Sequence, residues 1–146
     1  MRTLEEQIDV TTPVDRTWEL LHRFADYPRF VDGVVRATPH GRNRARLDVE
    51  ICGVRRAVDA EIVDHGRGRV MTWELVDGVH LRGTFALRPL DGARTQVQLR
   101  LEYDPDTLRE DIGGPRGFAQ SHTVEEAVRT DLEHFKEVVE RPPTRR

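Results

Sequence analysis

The longest regular run of apolar positions lies near the C-terminus, where Val124, Val128, Leu132, Phe135 and Val139 recur at three- to four-residue spacing. This spacing predicts one amphipathic helix from Thr123 to Glu140, with Glu125, Arg129, Glu133 and Lys136 on its wet side. Thr123 followed by Glu126 forms a capping box at its start, and Pro142 and Pro143 stop it. A stripe that long needs a large apolar surface to cover it. Upstream, Leu4 to Val10 reads as a strand with Ile8 and Val10 on its buried face. Thr12 offers an N-cap hydroxyl and Pro13 suits the first helical position, so a helix follows, with Val14, Trp18, Leu21 and Phe24 as its stripe, ending near Ala25. Asp26-Tyr27-Pro28 starts a second, very short helix through Phe30 and Val31. Trp18, Phe24, Tyr27 and Phe30 read first as helix-to-sheet packing.

From Val34 onward the period changes from helical to alternating. The run from Asn43 to His65 folds as a hairpin turning at Cys52-Gly53. In that register Leu47 meets Val58 and Ala45 meets Ala60 on the inner face. On the outer face Arg44 meets Glu61, Arg46 meets Asp59 and Glu50 meets Arg55, a ladder of opposite charges suited to solvent. The same register puts Arg56 on the inner face, opposite Val49. The next hairpin, Val70 to Leu87, turns at Asp77-Gly78. A two-residue turn there places Val76 opposite Val79, and brings Val70, Thr72, Glu74, Leu81, Gly83, Phe85 and Leu87 to the inner face. Met71, Trp73, Leu75 and His80 then point outward, with Trp73 across from Arg82. The last strand, Thr95 to Tyr103, turns Val97, Leu99, Leu101 and Tyr103 inward.

The inner surface is therefore apolar except for Arg56, Thr72, Glu74 and the Tyr103 hydroxyl. Arg56 and Glu74 fall within a diagonal of each other, and an unpaired buried charge costs several kcal/mol. Either the two form a structural ion pair at one end of the barrel, or they face water, or they anchor a ligand in an otherwise apolar cavity. Asp104 to Phe118, rich in glycine and proline, reads as a lid or binding loop, with Ile112 and Phe118 as its apolar members.

Composition sets the bounds. The 146 residues suit one domain, taken as residues 1–141 with a flexible tail at 142–146. Charged residues make up 34% and the net charge is −3, so no global positive field is available for nucleic acid, and none is expected as a partner. The single cysteine, Cys52, excludes an internal disulfide framework and suits a reducing cytoplasm. No signal-peptide segment or membrane span is visible, so a cytoplasmic protein without stable membrane insertion is expected. The six histidines are scattered, and no His or Cys set has metal-ligand spacing. No metal and no cofactor are expected.

Four segments carry a resemblance: Thr12-Pro13-Val14-Asp15-Arg16-Thr17-Trp18, Phe24-Ala25-Asp26-Tyr27-Pro28-Arg29-Phe30, Thr72-Trp73-Glu74 with Gly83-Thr84-Phe85, and Asp131-Leu132-Glu133-His134-Phe135-Lys136. Together they resemble the START-like superfamily, and within it the polyketide cyclase/dehydrase and coenzyme Q-binding branch. The resemblance implies an α+β helix-grip fold, with an antiparallel sheet of about seven strands wrapped around the C-terminal helix and a deep hydrophobic cavity between them. It also implies a hydrophobic small-molecule ligand. Phe30, Val58, Thr72, Leu81 and Phe85 are the candidate lining residues from the first part of the chain. Leu99, Leu101, Phe118, Val124, Val128 and Leu132 are those from the second. If the protein is a cyclase, Arg56 is the candidate for stabilising enolate charge, and Glu74 or Tyr103 for proton transfer. The alternative is a non-catalytic lipid or quinone carrier, or a regulator with a macromolecular partner. The residues leave oligomeric state open.

Overall fold

The computed structural model describes residues 2–31, 34–41, 43–51, 54–65, 69–76, 81–104 and 121–141. Strand β1 (Arg2–Val10) is followed by helix α1 (Val14–Leu21) and a 3-10 helix (Phe24–Arg29). Six strands come next: β2 (Val34–Pro39), β3 (Arg44–Ile51), β4 (Val54–His65), β5 (Val70–Leu75), β6 (Leu81–Pro89) and β7 (Thr95–Tyr103). The chain then forms helix α2 (Ser121–Glu140). The strands make one antiparallel sheet in the order β1-β7-β6-β5-β4-β3-β2. Both edges are therefore early strands, and α1 with the 3-10 helix carries the chain from one edge to the other. The sheet curves around α2, as the α+β helix-grip arrangement requires.

The β3–β4 register matches the charge ladder read from the sequence. Leu47 faces Val58, Ala45 faces Ala60, and Arg56 faces Val49. On the outer face Arg46 meets Asp59 at 3.2 Å and Arg55 meets Glu50 at 3.1 Å. Exposed pairs of this kind add a few tenths of a kcal/mol each, so they specify register more than they stabilise.

The β5–β6 register departs from expectation by one residue. Met71 pairs with Phe85, Trp73 with Gly83, and Glu74 with Arg82. Residues 76–80 separate Leu75 from Leu81, an odd number where a two-residue turn leaves an even one. Asp77-Gly78, the expected turn, lies outside the described residues. Because side chains alternate with period two, one residue of register turns the whole strand over. Met71 and Leu75 are buried on the inner face and Trp73 joins them. Thr72 and Glu74 are on the outer face, where the Thr72 and Thr84 hydroxyls meet at 3.4 Å and Arg82 meets Glu74 at 3.2 Å.

Helix α2 begins at Ser121, earlier than expected, and its stripe of Val128, Leu132, Phe135 and Val139 is buried. Its last turn is fixed to the β1–α1 corner by polar contacts. Thr12, 4% exposed, donates its hydroxyl to the Val139 carbonyl at 3.0 Å. That bond meets a general need of helix ends, whose last carbonyls lack intrahelical partners. Thr12 therefore does not cap α1, whose N-cap is Pro13 without a side-chain bond. Thr95 donates its hydroxyl to the Thr12 carbonyl at 2.8 Å. Lys136 donates to the Asp9 carbonyl at 2.9 Å and to Glu140 at 2.6 Å, and the Thr11 amide donates to Glu140 at 2.6 Å. Further along, Arg129 meets Glu6 of β1 at 2.9 Å.

Tyr103 closes β7 on the inner face, between Arg2 of β1 and Leu81 of β6, and is fully buried. Its hydroxyl has no hydrogen-bond partner among the described residues. Removing an unsatisfied buried hydroxyl costs nothing in lost bonding. Tyr103→Phe is therefore expected to leave the unfolding free energy unchanged or raised by up to about 1 kcal/mol in denaturant melts; a loss of more than about 1 kcal/mol would show that the hydroxyl is bonded.

The bonds from Lys136 and the Thr11 amide hold the Glu140 carboxyl below its ordinary value of 4.5. A lowered folded pKa contributes stability above the ordinary value, and that contribution is lost as the pH falls through the folded value. Glu140→Gln should therefore melt below wild type at neutral pH, and the gap should narrow at acid pH, below the ordinary value of 4.5. An equal gap at both pH values would show that Glu140 does not titrate against this corner.

Candidate functional site

A cavity of about 460 Å³ lies between the sheet and the helices, within the range of small-molecule sites. Its floor is the inner face of the sheet: Ala45, Leu47 and Val49 of β3, Val58, Ala60 and Ile62 of β4, and Met71, Trp73 and Leu75 of β5. Leu81 and Phe85 of β6 and Leu99 and Leu101 of β7 complete it. Helix α2 forms the roof with Ala127, Val128, Asp131, Leu132 and Phe135, and the 3-10 segment contributes Phe24, Tyr27, Phe30 and Val31. Exposed Glu50 also borders the cavity and marks the side open to water.

The aromatic residues of the short helices stack on one another instead of packing singly on the sheet. Ring centroids lie 5.8 Å apart for Phe24 and Tyr27, 4.8 Å for Tyr27 and Phe30, and 5.0 Å for Phe30 and Phe135 of α2. These spacings suit tilted and edge-to-face pairs, each adding roughly 0.5–1.5 kcal/mol beyond its area. The row ties the 3-10 helix to α2 and gives the cavity one aromatic wall. It extends outward through His22, which stacks on Trp18 at 4.5 Å and joins α1 to β4 through Asp64 at 2.8 Å. Tyr27 donates its hydroxyl to the Leu21 carbonyl at 2.7 Å, and burial pushes the phenol well above its ordinary value, so it stays protonated.

Polar atoms in the lining are few. The polar lining residues are Asp131 of α2, half-buried and itself engaged in a polar interaction, Tyr27, whose hydroxyl donates to Leu21, Trp73 of β5 and exposed Glu50. Among the described residues no group of three or more His, Cys, Asp and Glu side chains converges as metal ligands do.

Of the residues expected at the site, Phe30, Val58, Leu81, Phe85, Leu99, Leu101, Val128 and Leu132 line the cavity. Phe118 and the Val124 side chain fall outside the described residues. Thr72 and Glu74 are on the far face of the sheet, for the register reason given above. Glu74 therefore cannot meet Arg56, and both the ion pair and the joint anchor expected of them are withdrawn. Arg56 keeps its inward parity but is exposed, because β4 runs past the end of β5 there: pairing between the two strands stops at Ala60 and Leu75. Tyr103 packs in the core and does not line the cavity.

The sequence reading missed Asp131, Trp73, Met71 and Leu75. The β5 residues had a signal of their own. Met71, Trp73 and Leu75 form the wholly apolar face of that strand, while the other face carries Thr72 and Glu74. Asp131 gave none, since at helical spacing it stands beside the stripe like any solvated carboxylate.

Solved structures share the fold. The Zhui aromatase/cyclase from Streptomyces sp. R1128 superposes with a TM-score of 0.75 at 22% identity, over 96% of this chain and 94% of that one. A START superfamily protein from Mycobacterium smegmatis gives 0.68 at 18% identity, over 94% of each chain. The di-domain ARO/CYC BexL from the BE-7585A biosynthetic pathway gives 0.72 at 22% identity, and this chain covers 47% of it. A 17.2 kDa protein from the melC2-rnhH intergenic region of Streptomyces lincolnensis is 29% identical over 141 residues, 96% of this chain and 91% of that protein. A family profile described as polyketide cyclase / dehydrase and lipid transport matches residues 1–140. With nearly the whole chain matched and the START-like helix grip in place, this protein belongs to the polyketide cyclase / dehydrase and lipid transport family.

Proposed function

We propose that this protein takes a largely apolar, ring-bearing small molecule into the cavity between its sheet and helix α2, and that Asp131 meets the molecule's polar group there. The observation that carries the reading is the lining itself, nearly all carbon, with one carboxyl on the roof. A pocket of this kind gains affinity from apolar burial at about 25 cal/mol per Å² and takes orientation from its few polar groups. Arg56, exposed and paired across the strands with the lining residue Val49, would meet polar groups on an entering ligand before they are desolvated.

Family membership supports cyclisation of a poly-β-ketone as the reaction. The Asp131 carboxylate would accept a proton from a methylene between two carbonyls. The resulting enolate carbon would attack a carbonyl further along the folded chain, and the alkoxide would take the proton back. Loss of water then closes the aldol to a conjugated ring. The cavity walls would hold the chain folded and keep water from the enolate, so positioning would supply much of the rate. A second reading, as a carrier, rests on the scarcity of polar groups: a carrier needs the cavity and not the carboxylate.

Two substitutions separate these readings. Val128→Trp fills the space under α2 and should abolish uptake of a neutral aromatic probe such as 2-acetonaphthone, read by calorimetry, with the circular dichroism spectrum unchanged. Normal binding by that variant would refute the placement of the site. Asp131→Asn keeps the volume and should retain probe binding within about threefold, while slowing ring closure of a poly-β-ketone mimic by about 10²-fold or more. Equal product and rate from Asp131→Asn would eliminate the catalytic reading and leave the carrier.

A further inference from the structure

We propose that Gly83 and Trp73 together set the shape of the cavity, so that this pair selects flat ligands, ring systems or chains of carbonyls folded flat, over alkyl chains. The inference rests on the ligand-binding role proposed above and names the class of ligand the site takes.

Gly83 sits on the inner face of β6, directly across from Trp73 of β5. Its φ is not in the left-handed region, so the backbone there accepts any residue and does not itself require glycine. What requires glycine is space. A Cβ at position 83 would meet Cε2, Cζ2 and Nε1 of the Trp73 indole, all three closer than 3.0 Å. The indole thus occupies the volume a side chain would take and lies against the strand, a cross-strand pairing that compensates a sheet glycine.

The position of the indole determines what remains of the cavity. Trp73 lines it yet stays only half-buried, so one part of the ring packs on Gly83 and another is left open. The stacked row of Phe24, Tyr27, Phe30 and Phe135 lines another wall of the same cavity. With one aromatic surface from the sheet and another from the helices, the space between would act as a slot. Offset stacking on such surfaces favours a planar ring system over an alkyl chain of equal area. Any side chain at 83 would push the rigid indole off the strand by about 1 Å, and the free direction is into the slot.

The experiment measures binding of two neutral probes, 1-naphthol and 1-decanol, to wild type, Gly83→Ala, and Gly83→Ala combined with Trp73→Phe. Wild type should bind both. Gly83→Ala should weaken 1-naphthol by about tenfold or more and 1-decanol by less than about threefold, because a flexible chain bends around the displaced ring. Adding Trp73→Phe should return 1-naphthol affinity to within about threefold, since the smaller ring leaves room for the new methyl group. Unchanged 1-naphthol binding by Gly83→Ala, or equal weakening of both probes, would overturn the assignment.

Thermal melts locate any failure. Gly83→Ala should lower the melting temperature by about 5 °C in wild type and by much less in a Trp73→Ala background. If wild type binds neither probe while this coupling is present, the ligand reading fails and selectivity falls with it, though the packing stands. If the coupling is absent, the indole does not rest on Gly83 and this inference fails by itself.

Discussion

The cavity depends on helix α2 being held at one end and left uncovered along its middle. At its last turn, Val139 and Glu140 are tied to Thr11, Thr12 and, through Lys136, the Asp9 carbonyl, and Thr95 in turn holds Thr12. These bonds leave no freedom for the helix to settle deeper onto the sheet. Phe135 meets the aromatic row and Val139 the core, but Val128 and Leu132, earlier along the same stripe, face space. A protein interior ordinarily closes such space, because each lining atom without a neighbour loses dispersion energy. Here the clamp at the β1–α1 corner and the row of stacked rings hold the walls apart, and the loss of contact is the cost of the site.

The second constraint is the register of β5. Strands β3, β6 and β7 each present one face free of charged residues, so that part of the inner surface follows from alternation alone. β5 is different, because both of its faces carry bulk: Val70 and Val76 on one side, Met71, Trp73 and Leu75 on the other. Its facing was decided from the expected Asp77-Gly78 turn, and one residue of connection length reversed it. That reversal moved Glu74 out of the site and moved Trp73 in, which changed the site inferred from an acid–base pair with Arg56 to an apolar cavity lined by Trp73 and bordered by Asp131.

Much of the fold was therefore legible, and for a physical reason. The β3–β4 hairpin carried a charge ladder, Arg44, Arg46 and Glu50 against Glu61, Asp59 and Arg55, that works in one register only. Thr95 to Tyr103 and the stripe of α2 each had a single clean period. The site was less legible because its signals are relational. Gly83 is informative only once Trp73 is known to lie across from it, and Thr12 looked like a cap until the end of α2 was brought to it. Asp131 differs from the other carboxylates of its helix only by where the cavity happens to be.

A ligand site between the sheet and α2 requires that Trp73 face the cavity and not solvent. The most direct measurement is the nitrogen–proton correlation spectrum of the two indoles during titration with a neutral naphthalene derivative. A saturable shift of the Trp73 indole N–H is expected, with the Trp18 indole, stacked on His22 away from the lining, nearly still. A Trp73 resonance that stays fixed while ligand binds, or that moves no more than Trp18, would contradict it.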